Sequence, residues 1–345
     1  MVGAAMRFIV RCKPGEHRER EERVAIVGAG PAGLYAAGYL RCRGFQVTVY
    51  DRNPEPGGFL IFGVLDIHVD KERVRKGIEE LRGIGVEFRQ NTLVGRDVLL
   101  GDLIEGYDAV LIATGTWRSR RLDIPGSGLE GVYPAMEWIV DYHMWRYGYR
   151  AEKPPVGRRV VVIGGGLTAV DAVHVAKWLG AEEVHLAYRR TRHYAPAGER
   201  GFREAEEAGA VVHELVSPVE YIGSGGRVAA VRFQRMRLEE QPGAKRPRPV
   251  PVPGEYVTLE ADMVLEAIGL VPTPPFNGGD YGIRLRSDGT IDVDEYKRTT
   301  REPVFAAGDV VHGASLIGPA MKSGLEAAAA IEKYLDGEIG WRKDL

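Results

Sequence analysis

Cysteine is nearly missing from this chain. Only Cys12 and Cys42 occur among 345 residues, far apart and in no pattern. That excludes a Cys-x-x-Cys redox pair, a four-cysteine cluster and a cysteine-built zinc site, so no metal ligands are assigned. A Cys12–Cys42 disulfide is disfavoured for a chain expected to be cytoplasmic. Charge of one sign is lacking too: 46 Lys+Arg against 48 Asp+Glu leave a net −2, which argues against a nucleic-acid-binding surface. No apolar run approaches the roughly 20 residues that span a bilayer. Met1–Val10 is apolar but short, is interrupted by Arg7 and lacks a cleavage pattern, so it reads as a mature N-terminus and not a signal peptide. Asn and Gln are scarce and Arg outnumbers Lys; a heat-adapted source and a GC-rich genome fit this equally.

What is present is one pattern, twice. An apolar content of 44% and a charged content of 27% are ordinary for a globular protein, and the length has room for two domains with separate cores. The first copy is Val24-Ala-Ile-Val-Gly28-Ala-Gly30-Pro-Ala-Gly33, closing at Asp51. Its first glycine permits a tight turn, its second lets a pyrophosphate approach the backbone, and its third lets helix and strand pack closely. The helix that follows offers free N–H groups and a positive dipole end to phosphate. Asp51 falls where a carboxylate accepts hydrogen bonds from a ribose diol.

The second copy is Val160-Val-Val-Ile-Gly164-Gly165-Gly166-Leu167-Thr168-Ala169, closing at Tyr188-Arg189-Arg190. Alanine at the third position is tolerated. Arginine in place of the acid repels no phosphate and offers a planar fork to a 2′-phosphate, so this site is expected to prefer NADPH over NADH. Arg192 and His193 nearby strengthen that expectation.

Each copy reads as strand, turn, helix and strand: Val24–Val27, Pro31–Arg41 and Gln46–Tyr50, then Val160–Ile163, Leu167–Leu179 and Glu183–Tyr188. A helix is expected at Lys71–Gly83, with short strands at Val86–Asn91 and Ala109–Ala113. Val264–Gly269 mirrors Val110–Gly115, so the repeat extends beyond the phosphate loop. The fold class is α/β, two Rossmann-like dinucleotide-binding domains, with the NAD(P)H domain inserted into the FAD domain. Residues 1–22 form an N-terminal extension, 23–122 and 282–345 the discontinuous FAD domain, and 123–281 the NAD(P)H domain. Gln241–Pro253, with five prolines, reads as an extended surface hairpin or linker; its Lys245-Arg246-Pro-Arg248 cluster reads as a solvated loop. Gly308-Asp309 with Gly318-Pro319 forms a third cluster. Asp309 can accept from a ribityl hydroxyl, and a helix starting near Pro319 would aim its positive end at a flavin.

Together these motifs resemble the two-dinucleotide-binding flavoproteins, and more narrowly the small (beta) subunit of NADPH-dependent glutamate synthase and its stand-alone relatives. The matching stretches are Val49-Tyr-Asp-Arg-Asn-Pro-Glu-Pro-Gly-Gly58, Phe62-Gly63, Ala187-Tyr-Arg-Arg190 and Val304-Phe-Ala-Ala-Gly-Asp309. The resemblance implies FAD at Gly28, Gly30, Pro31, Ala32, Gly33, Asp51, Arg52, Gly58, Phe59, Gly63, Ala113, Thr114, Gly115, Gly308, Asp309, Leu316, Ile317 and Gly318. It implies NADPH at Gly164, Gly165, Gly166, Leu167, Thr168, Arg189, Arg190 and Gly269. Three departures stand out. Residues 1–22 hold only Cys12 where the family has a cysteine-rich region for iron–sulfur clusters, Gly63-Val64-Leu65 replaces Gly-Ile-Pro, and Leu167 stands where Asp is common.

The leading expectation is an NADPH:acceptor oxidoreductase in which hydride passes from nicotinamide to flavin and electrons go on to a redox partner protein or a small-molecule acceptor. Such transfer needs orientation more than acid–base catalysis, and no catalytic residue is assigned beyond Asp66 and His68 as candidates to tune the flavin. The alternatives are an electron-input subunit for a glutamate synthase large subunit or a ferredoxin-like partner, and a non-catalytic flavin-binding scaffold. The aromatic segment Trp138–Tyr149 reads as helix core or as an oligomer surface, and a homo-oligomer is left open. No nucleic acid and no membrane span are expected.

Overall fold

The computed structural model describes residues 6–10, 18–244 and 246–341. The readings made on Met1–Ala5, Cys12 and Lys245 fall outside the described residues. The chain divides into two compact units: one runs to Trp117 and resumes at Leu270, and the other is the continuous stretch Arg118–Gly269. Both borders fall earlier than expected, for reasons visible in the packing. Leu122 and Ile124 pack on the second unit's core, whereas Phe276 and Leu285 pack on the first's.

The first unit is built on a five-stranded sheet in the order Val304–Ala306, Ala109–Ile112, Arg23–Val27, Gln46–Tyr50, Glu87–Arg89, parallel throughout. Helices cover both faces of such a sheet, so its inner strands read as unbroken apolar runs; Ala109–Ile112 is buried at every position. The Pro31–Cys42 and Ile317–Leu335 helices pack so closely that a Cβ on Gly324 would collide with the Ala32 carbonyl. The Lys71–Gly83 helix starts where expected because Asp70 caps it, its side chain accepting from the amides of Glu72 and Arg73 at 3.0 and 3.3 Å.

Part of the expected N-terminal extension belongs to this unit. Phe8 is fully buried, the Met6 amide donates to the Arg73 carbonyl at 2.8 Å, and Gly38 and Gly77 leave room for the Phe8 and Met6 carbonyls. Cys42, expected as a thiol, is disulfide-bonded.

The second unit repeats the plan: Val132–Pro134, Met263–Glu266, Arg159–Ile163, Glu183–Tyr188, Ala210–Glu214, again parallel. It adds a three-stranded antiparallel sheet, Val216–Ser224, Arg227–Glu239 and Arg248–Glu260. The proline-rich tract is thus the tip and outer strand of a long hairpin. Pro249, Pro251 and Pro253 recur at every second position on that outer strand. A proline nitrogen carries no hydrogen and is tolerated where it faces away from the partner strand.

The aromatic segment forms the helix Ala135–Arg146. Trp138 and Tyr142 are buried, and the Trp138 indole donates to the Pro155 carbonyl at 2.7 Å, so core packing accounts for them. Among the described residues no helix is long and apolar enough to cross a membrane.

Candidate functional site

The two glycine turns have the same construction. In the first, Gly28 has φ +108° and a Cβ there would collide with the Ala113 carbonyl. In the second, Gly164 meets the Ala267 carbonyl in the same way. Gly30 and Gly166 face open space, with nothing among the described residues within 4 Å of a Cβ. That is where a ligand's phosphate needs the backbone bare. Gly33 packs against the Gly28 carbonyl, and Ala169 is fully buried. Neither Gly30 nor Gly166, the N-caps of the two helices, has a side-chain cap, so the helix amides are left for an anion. Gly165 has a local duty: a Cβ would strike the Tyr188 ring.

In the first unit a cavity of about 340 Å³ opens at the carboxyl ends of the strands, within the range of small-molecule sites. It brings together Gly28, Asp51, Arg52 and Thr114 of the expected residues. It also uses Asn53, the Thr92–Arg96 loop, Trp117 and Thr273–Asn277, which sequence reasoning missed. These are loops that follow strand ends, with no motif of their own; Gly95, whose Cβ would lie 2.7 Å from the Pro275 carbonyl oxygen, was the one available signal.

Asp51 is buried, and its two oxygens already accept from the Ala29 and Asn53 amides, each at 2.7 Å. The carboxylate therefore locks the glycine turn to the loop after the second strand, with further lone pairs left for a ribose. Burial pushes its pKa up, opposed by those two amides. Among the described residues, two buried polar atoms of cavity residues, the Thr114 hydroxyl and the Asn53 side-chain nitrogen, find no hydrogen-bond partner. Orphaned polar atoms at a cavity wall fit a polar ligand such as the dinucleotide expected here. Trp117 packs at a tilt against Phe59, 4.3 Å between centroids, and lies under the Arg52 guanidinium at 4.4 Å.

Gly58 and Gly308 both have positive φ. Gly58 closes on Gly30, where a Cβ would lie 2.8 Å from the Gly30 Cα, and Gly308 on Ala32 at 2.9 Å, so the remaining expected stretches converge on the turn and its helix. Gly63 is buried, and its amide donates back to the Phe59 carbonyl at 3.1 Å. Asp309 accepts from the Ser315 hydroxyl at 2.6 Å and its pKa is raised by burial. The long helix starts at Ile317, with exposed Leu316 and open Gly318 at its entry. Asp66 is half-buried and His68 exposed in the loop between two helices, and neither lines the cavity.

In the second unit, Glu183–Tyr188 ends at Arg189 and Arg190 as expected. Arg189 is exposed, and the Arg190 Nε donates to the Pro247 carbonyl at 3.0 Å. Arg192 departs from expectation. Its side chain is held by Glu214 at 2.8 Å and Glu206 at 2.9 Å, and these carboxylates raise its pKa. Arg192 is spent within the protein. His193 is exposed and lies 3.8 Å from Glu199. Leu167 is exposed at the first position of its helix, and Gly269 ends this unit, its carbonyl accepting from the Arg120 amide.

Residues 22–324 match the model of the pyridine nucleotide-disulphide oxidoreductases. The chain belongs to this family. Among family relatives, it is 39% identical over 333 residues to a putative glutamate synthase [NADPH] small chain of Cereibacter sphaeroides, covering 95% of this chain and 80% of the relative. It is 35% identical to the glutamate synthase [NADPH] small chain of Escherichia coli, over 92% and 70% of the two chains. It is 39% identical to the beta subunit of an NADP(+)-dependent formate dehydrogenase of Moorella thermoacetica, of which it covers 44%. The chain spans about half the length of such longer relatives. The fold is shared with Mycobacterium tuberculosis FprA in complex with NADPH, at TM-score 0.77, 22% identity and coverage of 92% and 85%. It is also shared with T. acidophilum thioredoxin reductase, at TM-score 0.67, 22% identity and coverage of 92% and 100%. This family member carries its bonded cysteine, Cys42, at the far end of the Pro31–Cys42 helix from the glycine turn, about 18 Å away at 1.5 Å per residue.

Proposed function

We propose that this chain is an NADPH-dependent FAD oxidoreductase of the glutamate synthase small-chain kind, with FAD held by the first unit and NADPH by the second. The observation that supports it is one glycine turn built twice with opposite charge at its endings: the Asp51 carboxylate in one copy, Arg189 and Arg190 in the other. NADPH supplies a hydride that FAD accepts and releases as electrons to an acceptor.

The chain's own work is binding and orientation. The uncapped helix starts at Gly30 and Gly166 receive pyrophosphates. Asp51 accepts ribose hydroxyls, the Thr114 hydroxyl and Asn53 amide take partners from the ligand, and Asp309 accepts from the ribityl chain. Arg189 and Arg190 neutralise the 2′-phosphate. No residue of this chain is assigned to proton transfer.

Anaerobic mixing of the FAD-loaded chain with NADPH tests the reading. Visible flavin absorbance is expected to bleach; an unbleached flavin would leave only the binding scaffold. A second reading, an electron-input subunit, is supported by relatives whose names describe small chains and a beta subunit. NADPH-dependent reduction of ferredoxin, quinones, oxygen and glutamate synthase large chains, measured side by side, separates a protein acceptor from a small one.

A further inference from the structure

The arginine pair that marks the coenzyme end of the second unit is gripped by a part of the chain that no nucleotide motif includes. The Arg190 carbonyl accepts from the Leu215 amide at 3.3 Å, and the Leu215 carbonyl accepts from the Met236 amide at 2.8 Å. Leu215 adopts φ +57° to serve both, a conformation that costs a branched residue stability. The Arg190 side chain then donates to the Pro247 carbonyl at the tip of the same hairpin. Backbone and side chain together hold the hairpin tip beside the strand end where a 2′-phosphate would lie.

The tip is basic at that point. Pro247 is buried against the body of the unit while its neighbours Arg246 and Arg248 are exposed. None of Arg189, Arg190, Arg246 and Arg248 pairs with a carboxylate among the described residues. Of the two tip acids, Glu239 is engaged by Arg237 at 2.6 Å and Glu240 is exposed. Since Arg192 is spent on Glu206 and Glu214, the strand end itself supplies two guanidinium groups, a modest set for a phosphate dianion.

We propose that the hairpin tip completes the 2′-phosphate site, with Arg246 and Arg248 as specificity-determining residues alongside Arg189 and Arg190. The inference rests on the NADPH reading above. Arg246-Pro247-Arg248, read in the sequence as part of a solvated loop, becomes a basic tip fastened to the residue it assists.

Calorimetric titration of the full FAD-loaded chain with 2′,5′-ADP and with 5′-ADP tests it without turnover. The wild type is expected to favour 2′,5′-ADP. Arg246→Ala with Arg248→Ala is expected to weaken 2′,5′-ADP about tenfold and 5′-ADP by less than about twofold, with the loss shrinking at high salt. If that variant keeps the wild-type ratio while Arg189→Ala with Arg190→Ala loses it, the hairpin assignment is overturned and the NADPH reading stands. If the wild type itself does not discriminate, the NADPH reading falls and the hairpin assignment with it.

Discussion

Ile112 and Glu266 hold the same place in two copies of one plan. Each ends the strand beside its glycine-turn strand, one residue before Ala113 or Ala267, whose amides donate to the Val27 and Ile163 carbonyls at 2.8 Å. Both side chains are fully buried. Ile112 sits in an apolar cluster, whereas Glu266 accepts from the Tyr221 hydroxyl at 2.7 Å and pairs with Arg121. Tyr221 belongs to the antiparallel sheet that, among the described residues, only the second unit carries. A buried carboxylate is dearer than an isoleucine, and here it ties the added sheet to the parallel one at a single position, which an apolar end would merely pack against.

The two units are most sensitive to substitution at the turns themselves. Gly28→Ala and Gly164→Ala should each cost about 4 kcal/mol, from backbone strain plus collision with a fixed carbonyl. The two should nonetheless differ in consequence. Gly28→Ala protein is expected to purify without flavin, and Gly164→Ala protein to keep flavin but not respond to NADPH. Absorbance spectra and thermal unfolding check both, and identical losses would mean that the two turns do not serve separate ligands.

Next comes the Glu266 tie. Tyr221→Phe or Glu266→Ile alone strands a buried polar partner and should cost about 2 kcal/mol each. The double variant, which makes the second unit resemble the first, should cost less than either. Urea unfolding of the four proteins decides this, and simple additivity would refute the tie. Arg189→Ala with Arg190→Ala should lower the NADPH-to-NADH ratio of kcat/KM about tenfold or more; an unchanged ratio in steady-state assays removes the phosphate-pocket assignment.

The smallest effect is in pH. His213 in the second unit is half-buried and depressed below the ordinary 6.5, chiefly by burial, aided by His185. The unfolded chain therefore takes up protons first. This contribution to stability is full above pH 6.5 and is lost as pH falls through that value toward the lower folded pKa. His213→Gln should flatten the melting temperature below pH 6.5, and an unaltered slope would count against this ring as its source.

The glycine turns, their helices and the strands beside them were legible because local chemistry dictates them. Asp70 before Lys71 and the bare Gly30 and Gly166 act within a few residues. Leu167–Leu179 and Gln46–Tyr50 fall where the pattern puts them. What the pattern does not contain is the partner brought in from a distance. Arg192 looks like a phosphate ligand until Glu206 and Glu214 fold beside it. Asp51 looks like a ribose acceptor, and its bonds to the Ala29 and Asn53 amides appear only once the loops close. The cavity walls at Thr92–Arg96 and Thr273–Asn277 meet across a long separation in sequence, and Cys42 looks like a thiol when read by spacing alone.

The alternating prolines of the outer hairpin strand have a consequence for behaviour at high protein concentration. A strand ladder needs donors and acceptors in turn, and between Pro249 and Pro253 the outward nitrogens of this strand belong to prolines. Another chain arriving there finds acceptors alone and cannot extend the sheet. Along that half of its 13-residue outer strand the second unit offers no ladder for edge-to-edge polymerisation.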